Sequence, residues 1–279
     1  VRTICFSLML CCAATVGAQK PVRPVTSAWT VEAGGATVAD TYLSPLRYSG
    51  TEAAVAYERW QAMRFNPHAA VMQLQVRGSF ARTMSPARNS VMLGLDAEGS
   101  WAMMWRKEIV AAPGLTLGVG GEADLRIGAL YLPRNGNNPA QAEAAVTIGA
   151  TAFATYSTRL GRLPVTLRWQ PSLPLLGTFF CPDYGELYYE ISLGNTAGLI
   201  HCAWPGSYRR LRSLLTADLR FGATALRLGY HADVISTRAN HITHRTISHM
   251  AVLGISTEWL SLSPTRRPSA EAEIISAYY

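Results

Sequence analysis

The feature that most limits what this chain can fold into is an alternation of period two running, with one break, from Leu115 to Arg159. Odd positions from Leu115 to Tyr131 are apolar or small (Leu117, Val119, Ala123, Leu125, Ile127), and the even ones include Glu122, Asp124 and Arg126. After a polar break, Pro133 to Pro139, the alternation restarts in reversed phase. Val146, Ile148 and Tyr156 lie on one side, Thr147, Thr151 and Thr155 on the other. A period of two marks a strand, because successive side chains point to opposite faces. Both runs far exceed the roughly 5–6 residues of a soluble strand, and each apolar face ends at a tyrosine. The pattern predicts a transmembrane β-hairpin with lipid outside and a polar lumen inside.

Charged residues make up 15% of the 279, against about a quarter in soluble proteins. No run approaches the roughly 20 apolar residues of a membrane helix. Apolar residues spread over alternate positions account for both facts. The formal charge of +7 comes without a basic stripe, zinc spacing or phosphate loop. Nucleic acid is therefore not an expected partner, and no cofactor is implied. A basic excess speaks to solubility and non-specific contacts. The partners expected are outer-membrane lipid and lipopolysaccharide, with a protein in the same membrane as a further candidate.

Residues 1–18 read as a secretory signal: Arg2, the apolar stretch Ile4 to Ala14, then Val16-Gly17-Ala18 at the cleavage site. Residues 19–27 form a Pro-rich lead-in, 28–262 the barrel and 263–279 a periplasmic tail without a strand. Cys181 and Cys202 remain after cleavage. Exported to an oxidising compartment they are a candidate disulfide, and two free thiols are the equal alternative.

Alternation marks eleven strands. A single-chain bacterial barrel has an even number, with both termini periplasmic. Counting from the two ends agrees only with one more strand between 194 and 211, for which 198–204 is the sole candidate. The fold expected is an all-β antiparallel transmembrane barrel of 12 strands. The alternative is 10, with the first strand as a plug or arm and 198–204 in a loop. Pro171 and Pro174 fall inside a strand, where proline cannot donate a ladder hydrogen bond, so a bulge or early exit is expected there.

The inward positions collect Glu58, Arg77, Asp96, Glu98, Glu122, Asp124, Arg126, Arg159, Arg168, Glu190, Asp218, Arg220, Arg227, His231, Asp233 and Glu258. These mixed charges either pair into a hydrated core or line a narrow polar pathway. His241 and His244 lie in an expected outer loop of residues 238–244, with His249 facing away from the lumen. No Gly-x-Ser-x-Gly occurs, and neither a catalytic residue nor a metal site is expected.

The segment Asp40-Thr41-Tyr42-Leu43-Ser44-Pro45-Leu46, followed by Tyr48 and Gly50, resembles the opening signature of an uncharacterised Bacteroidetes outer-membrane family, a domain of unknown function. Tyr188-Tyr189-Glu190, Gly229-Tyr230 and Asn240-x-x-Thr243-x-Arg245 are similar too. The resemblance implies an exported outer-membrane barrel and no particular activity. Three functions stay open on the sequence: a narrow porin-like channel for small polar solutes, a structural or assembly partner with a closed lumen, and a barrel-borne lipid hydrolase.

Overall fold

The computed structural model describes residues 21–136, 138–259 and 273–279. Residues 1–20, which include the expected signal segment 1–18, the stretch 260–272 and Asn137 lie outside the described residues. Long strands follow one another up and down: β1 Val25–Asp40, β2 Ser44–Ala62, β3 Ala70–Met84, β4 Val91–Glu108, β5 Leu115–Tyr131, β6 Ala140–Leu160 and β7 Leu163–Phe180. A short helix α1 Tyr188–Ser192 and a short strand β8 Ile200–Ala203 come next. β9 Tyr208–Phe221, β10 Thr224–Ala239 and β11 Ile242–Trp259 complete the sheet. Every neighbour in the ring is antiparallel, and β1 pairs with β11 from Val25 opposite Trp259 to Asp40 opposite His244. Since β6 pairs with β7 and β7 with β9, the ring closes. Among the described residues it has ten strands, with β8 outside it. Closure removes the sheet edges that would otherwise leave backbone donors and acceptors without partners.

The count of twelve is therefore corrected to ten, and not by losing the first strand. The alternation of Leu187, Tyr189, Ile191 and Leu193 belongs to α1 and its flanks. The segment 198–204 supplies only β8, which pairs with the far end of β7. Strand boundaries also move. β1 starts at Val25, inside the expected lead-in. β2 starts at Ser44, so the expected long connector 40–50 contracts to the turn 41–43. The expected outer loop 238–244 contracts to Asn240-His241, both at positive φ (48° and 62°). Two left-handed residues give the tight turn whose twist suits a hairpin, and Asn tolerates that conformation well.

Of the prolines of β7, Pro174 sits at a bulge, whereas Pro171 keeps its register with Ser213 of β9. Ile148 faces Leu176 while Gly149 faces Pro174, which leaves Leu175 as an extra residue. Inward positions on β7 are even as far as Pro174 and odd from Gly177, so Phe179 and Arg168 both face the interior.

The ring has two unlike ends. One carries the described ends of the chain and the turns 63–69, 109–114, 161–162 and 222–223, and is called the turn end below. The other carries 41–43, 85–90, 132–139, 181–207 and 240–241, and is the loop end. Outward side chains are large, apolar and uncovered around the whole girth, among them Val31, Val55, Leu95, Leu125, Ile148, Leu215, Leu228 and Leu253. Trp29, Trp101, Trp169 and Trp259 ring the exterior toward the turn end, all about half exposed. An apolar band edged by aromatics is the surface that a bilayer accommodates.

Gly34 sits where β1 meets β11, and a Cβ there would collide with the His249 carbonyl oxygen. Gly35 has room, its nearest neighbour being the Gly50 carbonyl at 3.6 Å. Gly34→Val is expected to abolish the compact, heat-modifiable form on a detergent gel, while Gly35→Ala retains it. Equal migration of both would mean that the seam tolerates a side chain.

Candidate functional site

The alternation that sends apolar residues outward sends the charged ones into the lumen, where they form three tiers. Nearest the turn end, Glu58 receives Arg168 through both guanidinium nitrogens at 2.9 Å, and Arg227 at 2.8 Å. Arg227 also forms a two-pronged pair with Asp218, both arms 2.7 Å. Gln73 and Gln75 each donate to Glu58 at 3.1 Å. Arg168, Arg227, Glu58 and Asp218 are all buried. Two-pronged guanidinium–carboxylate pairs are the strong form of this interaction.

In the middle tier Arg77 bridges Glu32 and Glu52 at 3.0 Å each, and His231 Nδ1 lies 2.9 Å from Glu32. Across the lumen Arg210 holds both oxygens of Asp233, at 3.0 and 2.7 Å, and contacts Glu98 and Asp124. Arg212 contacts Glu98, Glu122 and Asp124. Toward the loop end Arg126 joins Asp96 to Glu143, both at 2.7 Å. His244 places Nε2 3.1 Å from Glu143 and Nδ1 3.0 Å from Asp40. Asp40 then accepts the backbone N–H groups of Tyr42 and Leu43.

Both mouths are covered. At the turn end residues 273–279 turn back into the lumen. The Tyr278 ring lies under Arg168 (5.0 Å) and Arg227 (5.4 Å) and packs on Trp60, which meets Phe153 edge-on. The Tyr279 hydroxyl donates to Asp218 at 3.1 Å, with Arg220 over its ring at 4.2 Å. Cations over aromatic faces are favourable, more so once desolvated. At the loop end Val38, Leu43, Tyr48, Met92, Leu130 and Leu132 form one apolar cluster, and Ala145, Phe179, Cys181, Ala203, Tyr208 and Ile242 another. Tyr42 fastens the loops over them by donating to the Glu186 carbonyl at 2.6 Å. The space left among the tiers is a set of small cavities: about 50 Å³ beside Glu32, Arg77, Glu98, Arg212 and His231, about 40 Å³ beside Glu52, Asp96, Arg126 and Glu143, and about 10 Å³ beside Glu122 and Asp124. Each holds at most a few waters, since one water needs about 10–15 Å³.

Of the residues read from sequence, Glu58, Arg77, Asp96, Glu98, Glu122, Asp124, Arg126, Arg168, Asp218, Arg227, His231 and Asp233 lie in these tiers. Arg220 and Glu258 stand 4.0 Å apart at the turn-end mouth. Glu190 is a correction. It belongs to α1, is exposed, and accepts the Leu187 N–H at the helix start. Arg159 is exposed near the turn-end tip of β6, with lumenal parity but past the rim. His244 is moved from an outer loop into β11 and the lumen.

Glu32, Glu52, Glu143, Arg210, Arg212 and His244 are lumenal groups missing from the sequence list. Parity would have reached each of them. Glu143 lies two residues before Ala145, Arg210 and Arg212 continue the face of Thr216 and Asp218, and His244 continues that of Ser248. For Glu143, Arg210, Arg212 and His244 the strands extend further than the alternation makes plain, whereas Glu32 and Glu52 lie inside the strands read from sequence.

Asp40, Glu143 and His244 are the one trio of possible metal-binding side chains brought together among the described residues. Both imidazole nitrogens already face carboxylates, and Arg126 occupies Glu143, so the arrangement is that of an ion-pair relay. Thr246 Oγ1 also lies 3.0 Å from His244 Nε2. Glu143 shares that nitrogen, which leaves the threonine without the dedicated base that a nucleophile needs.

Cys181 and Cys202 are both free. Cys181 faces inward two residues after Phe179, whereas Cys202 is exposed opposite Thr178. They share an end of the barrel but point to opposite faces of the sheet, which is why they do not bond. Burial pushes the Cys181 thiol up to about 12, so at pH 8 it is held as the unreactive thiol. In protein lacking residues 1–18, one thiol is expected to react readily with a maleimide at pH 8, and Cys202→Ser should remove that reaction. Two equally fast thiols would contradict the placement.

Removing Glu58 leaves Arg168 without a carboxylate partner in the buried lumen and Arg227 with Asp218 alone. Breaking a buried pair costs about 3–5 kcal/mol, so Glu58→Ala is expected to lower unfolding stability in detergent by about that much. Glu258→Ala, at the partly exposed mouth, should change it by less than about 1 kcal/mol. Comparable losses for the two would show that the tiers do not carry the stability assigned to them.

Among solved structures, the chain is similar to the transport unit of the autotransporter AIDA-I from Escherichia coli (9% identity, 91% of this chain and 94% of that one, TM-score 0.39). It is also similar to the translocator domain of the autotransporter NalP from Neisseria meningitidis (13%, 85% and 88%, TM-score 0.35). An outer-membrane channel from Pseudomonas putida F1 is a third (10%, 87% and 98%, TM-score 0.36). No curated protein matches the chain. Residues 2–266 match the family described as "Protein of unknown function (DUF3316)", and the chain belongs to that family.

Proposed function

We propose that this chain is an outer-membrane barrel with a structural or assembly role, its lumen a closed, salt-bridged core. The observation that carries this reading is the filling of the lumen. Three tiers of paired charge span it, the cavities among them are each of a size for a few waters, and both mouths are covered. Location in the outer membrane is supported by the uncovered apolar girth, the tryptophan ring at one end and the signal-like residues 1–18. The partners in this reading are outer-membrane lipid and lipopolysaccharide, with a protein partner at the loop end. Exposed Tyr184, Tyr189, Leu193, Ile200 and Trp204 there give such a partner apolar ground.

Asp40 and Tyr42 give the opening Asp40–Leu46 segment a job that fits a family signature. They tie the first turn to β11 and to the loop carrying Glu186.

A second reading, a conduit for small polar solutes, has one observation in its favour. Among the described residues the tiers hold eleven carboxylates (Glu32, Asp40, Glu52, Glu58, Asp96, Glu98, Glu122, Asp124, Glu143, Asp218 and Asp233) against six arginines. An excess of carboxylate favours cations, but passage requires the arginines and the tail to move aside.

Planar-bilayer recording on the purified, folded protein separates the two. Silence is expected from the full chain, and also from a chain cut after residue 272, because the charged tiers remain. Reproducible conductance steps in the full chain would overturn the closed-core reading. Steps only in the shortened chain would make residues 273–279 a plug.

A further inference from the structure

Among the exterior charges that the lumen network does not use, three arginines fall in one row. Arg47 on β2 pairs across to Ala39 on β1, and Ala39 pairs to Arg245 on β11. Arg245 pairs to Ser236 on β10, and Ser236 to Arg209 on β9. Five adjacent strands thus present Arg, Ala, Arg, Ser and Arg in one hydrogen-bonded register row. All three arginines are exposed on the outward face, and among the described residues none forms a salt bridge. Every second strand carries one, so neighbouring arginines stand roughly 10 Å apart at the usual strand spacing. The small residues between them leave a shallow floor. No outward position of these five strands is an Asp or Glu.

The height of the row gives it meaning. Trp29 pairs with Tyr57 on β2 and with Ile255 on β11, which marks the aromatic edge of the apolar band. From Trp29 to Ala39 the chain advances ten residues, as it does from Arg47 to Tyr57 and from Arg245 to Ile255. A tilted transmembrane strand needs about 9–11 residues to cross the hydrocarbon. Along their own strands Arg47 stands ten residues from Tyr57 and Arg245 fourteen from Trp259, about one bilayer crossing or a little more, so both lie toward the opposite headgroup region. Apolar side chains such as Leu211, Val55 and Leu253 lie on the same strands between the two levels.

We infer that this row is a binding site for a phosphorylated lipid of the outer leaflet, the phosphate held by Arg47, Arg209 and Arg245 and the acyl chains lying on the apolar band beneath. Guanidinium matches a phosphate's oxygens in a planar, two-pronged geometry that an ammonium lacks. The continuity of the arginine level with the apolar band selects a lipid-borne phosphate over a free one. The inference rests on the membrane reading above and adds the ligand class and the residues.

The test uses the full protein reconstituted in phosphatidylcholine vesicles containing either spin-labelled phosphatidic acid or spin-labelled phosphatidylcholine. Wild type is expected to immobilise phosphatidic acid several-fold more than phosphatidylcholine. The triple variant R47Q/R209Q/R245Q should lose that preference while keeping its heat-modifiable migration and its protection from protease. The triple Arg→Lys variant should show it reduced, and equimolar inorganic phosphate should not compete. Failure of wild type to insert would sink the membrane reading itself. Insertion without a preference, a preference unchanged in the glutamine triple, or full competition by inorganic phosphate would each overturn the lipid site.

Discussion

The pairing of β1 with β11 is the constraint on which everything else in this protein depends. Sixteen residue pairs join the first strand to the last, and with them every strand of the ring has two neighbours. In hydrocarbon each unpaired backbone group costs several kcal/mol, so an open ten-stranded sheet could not stand there. Closure also fixes the interior. A ring of ten strands is too narrow to leave a wide aqueous channel, and the side chains directed inward must meet one another. Charges in that space survive only with partners. The tiers of arginine and carboxylate are thus the consequence of a closed, narrow ring with polar inward positions.

Charge is sorted between the two faces of one sheet. The chain as a whole is basic, yet its lumen is acidic, which means that the remaining residues are more basic than the formal +7 conveys. The arginine row of β2, β11 and β9 is the visible part of that exterior excess. A single net charge averaged over the sequence conceals two surfaces of opposite sign.

Much of this fold was legible because a barrel with an apolar exterior and a polar lumen writes itself in period two. Along Leu115–Tyr131 and Ala144–Tyr156 the contrast between those two faces gives every side chain an unambiguous direction. Legibility fails where that contrast ends. Near the loop end side chains meet loops and apolar clusters, so Ala203, Tyr208 and Phe179 carry no alternating signal, and the strands beneath Arg210 and His244 were read too short. In Leu187–Leu193 a chance alternation of apolar residues mimicked a strand over one short helix. Parity then turned one error into two. The false strand made the count odd, and 198–204 was recruited to make it even. The tail was opaque for a different reason. Tyr278 and Tyr279 bind through long-range contacts with Arg168, Arg227 and Asp218, and nothing local in 273–279 announces them.

Asp40 carries a consequence for the order of events in folding. It is the last residue of β1, its Cα partner on β11 is His244, and its carboxylate reaches both that histidine and the turn at Tyr42. More than two hundred residues separate Asp40 from His244, a contact of very high sequence separation, and such contacts form late and slowly. The clasp cannot exist until the last strand has arrived beside the first. The segment that opens the barrel in sequence is thus completed only at the end of its assembly, and an intact Asp40–His244 contact is a mark of a finished molecule.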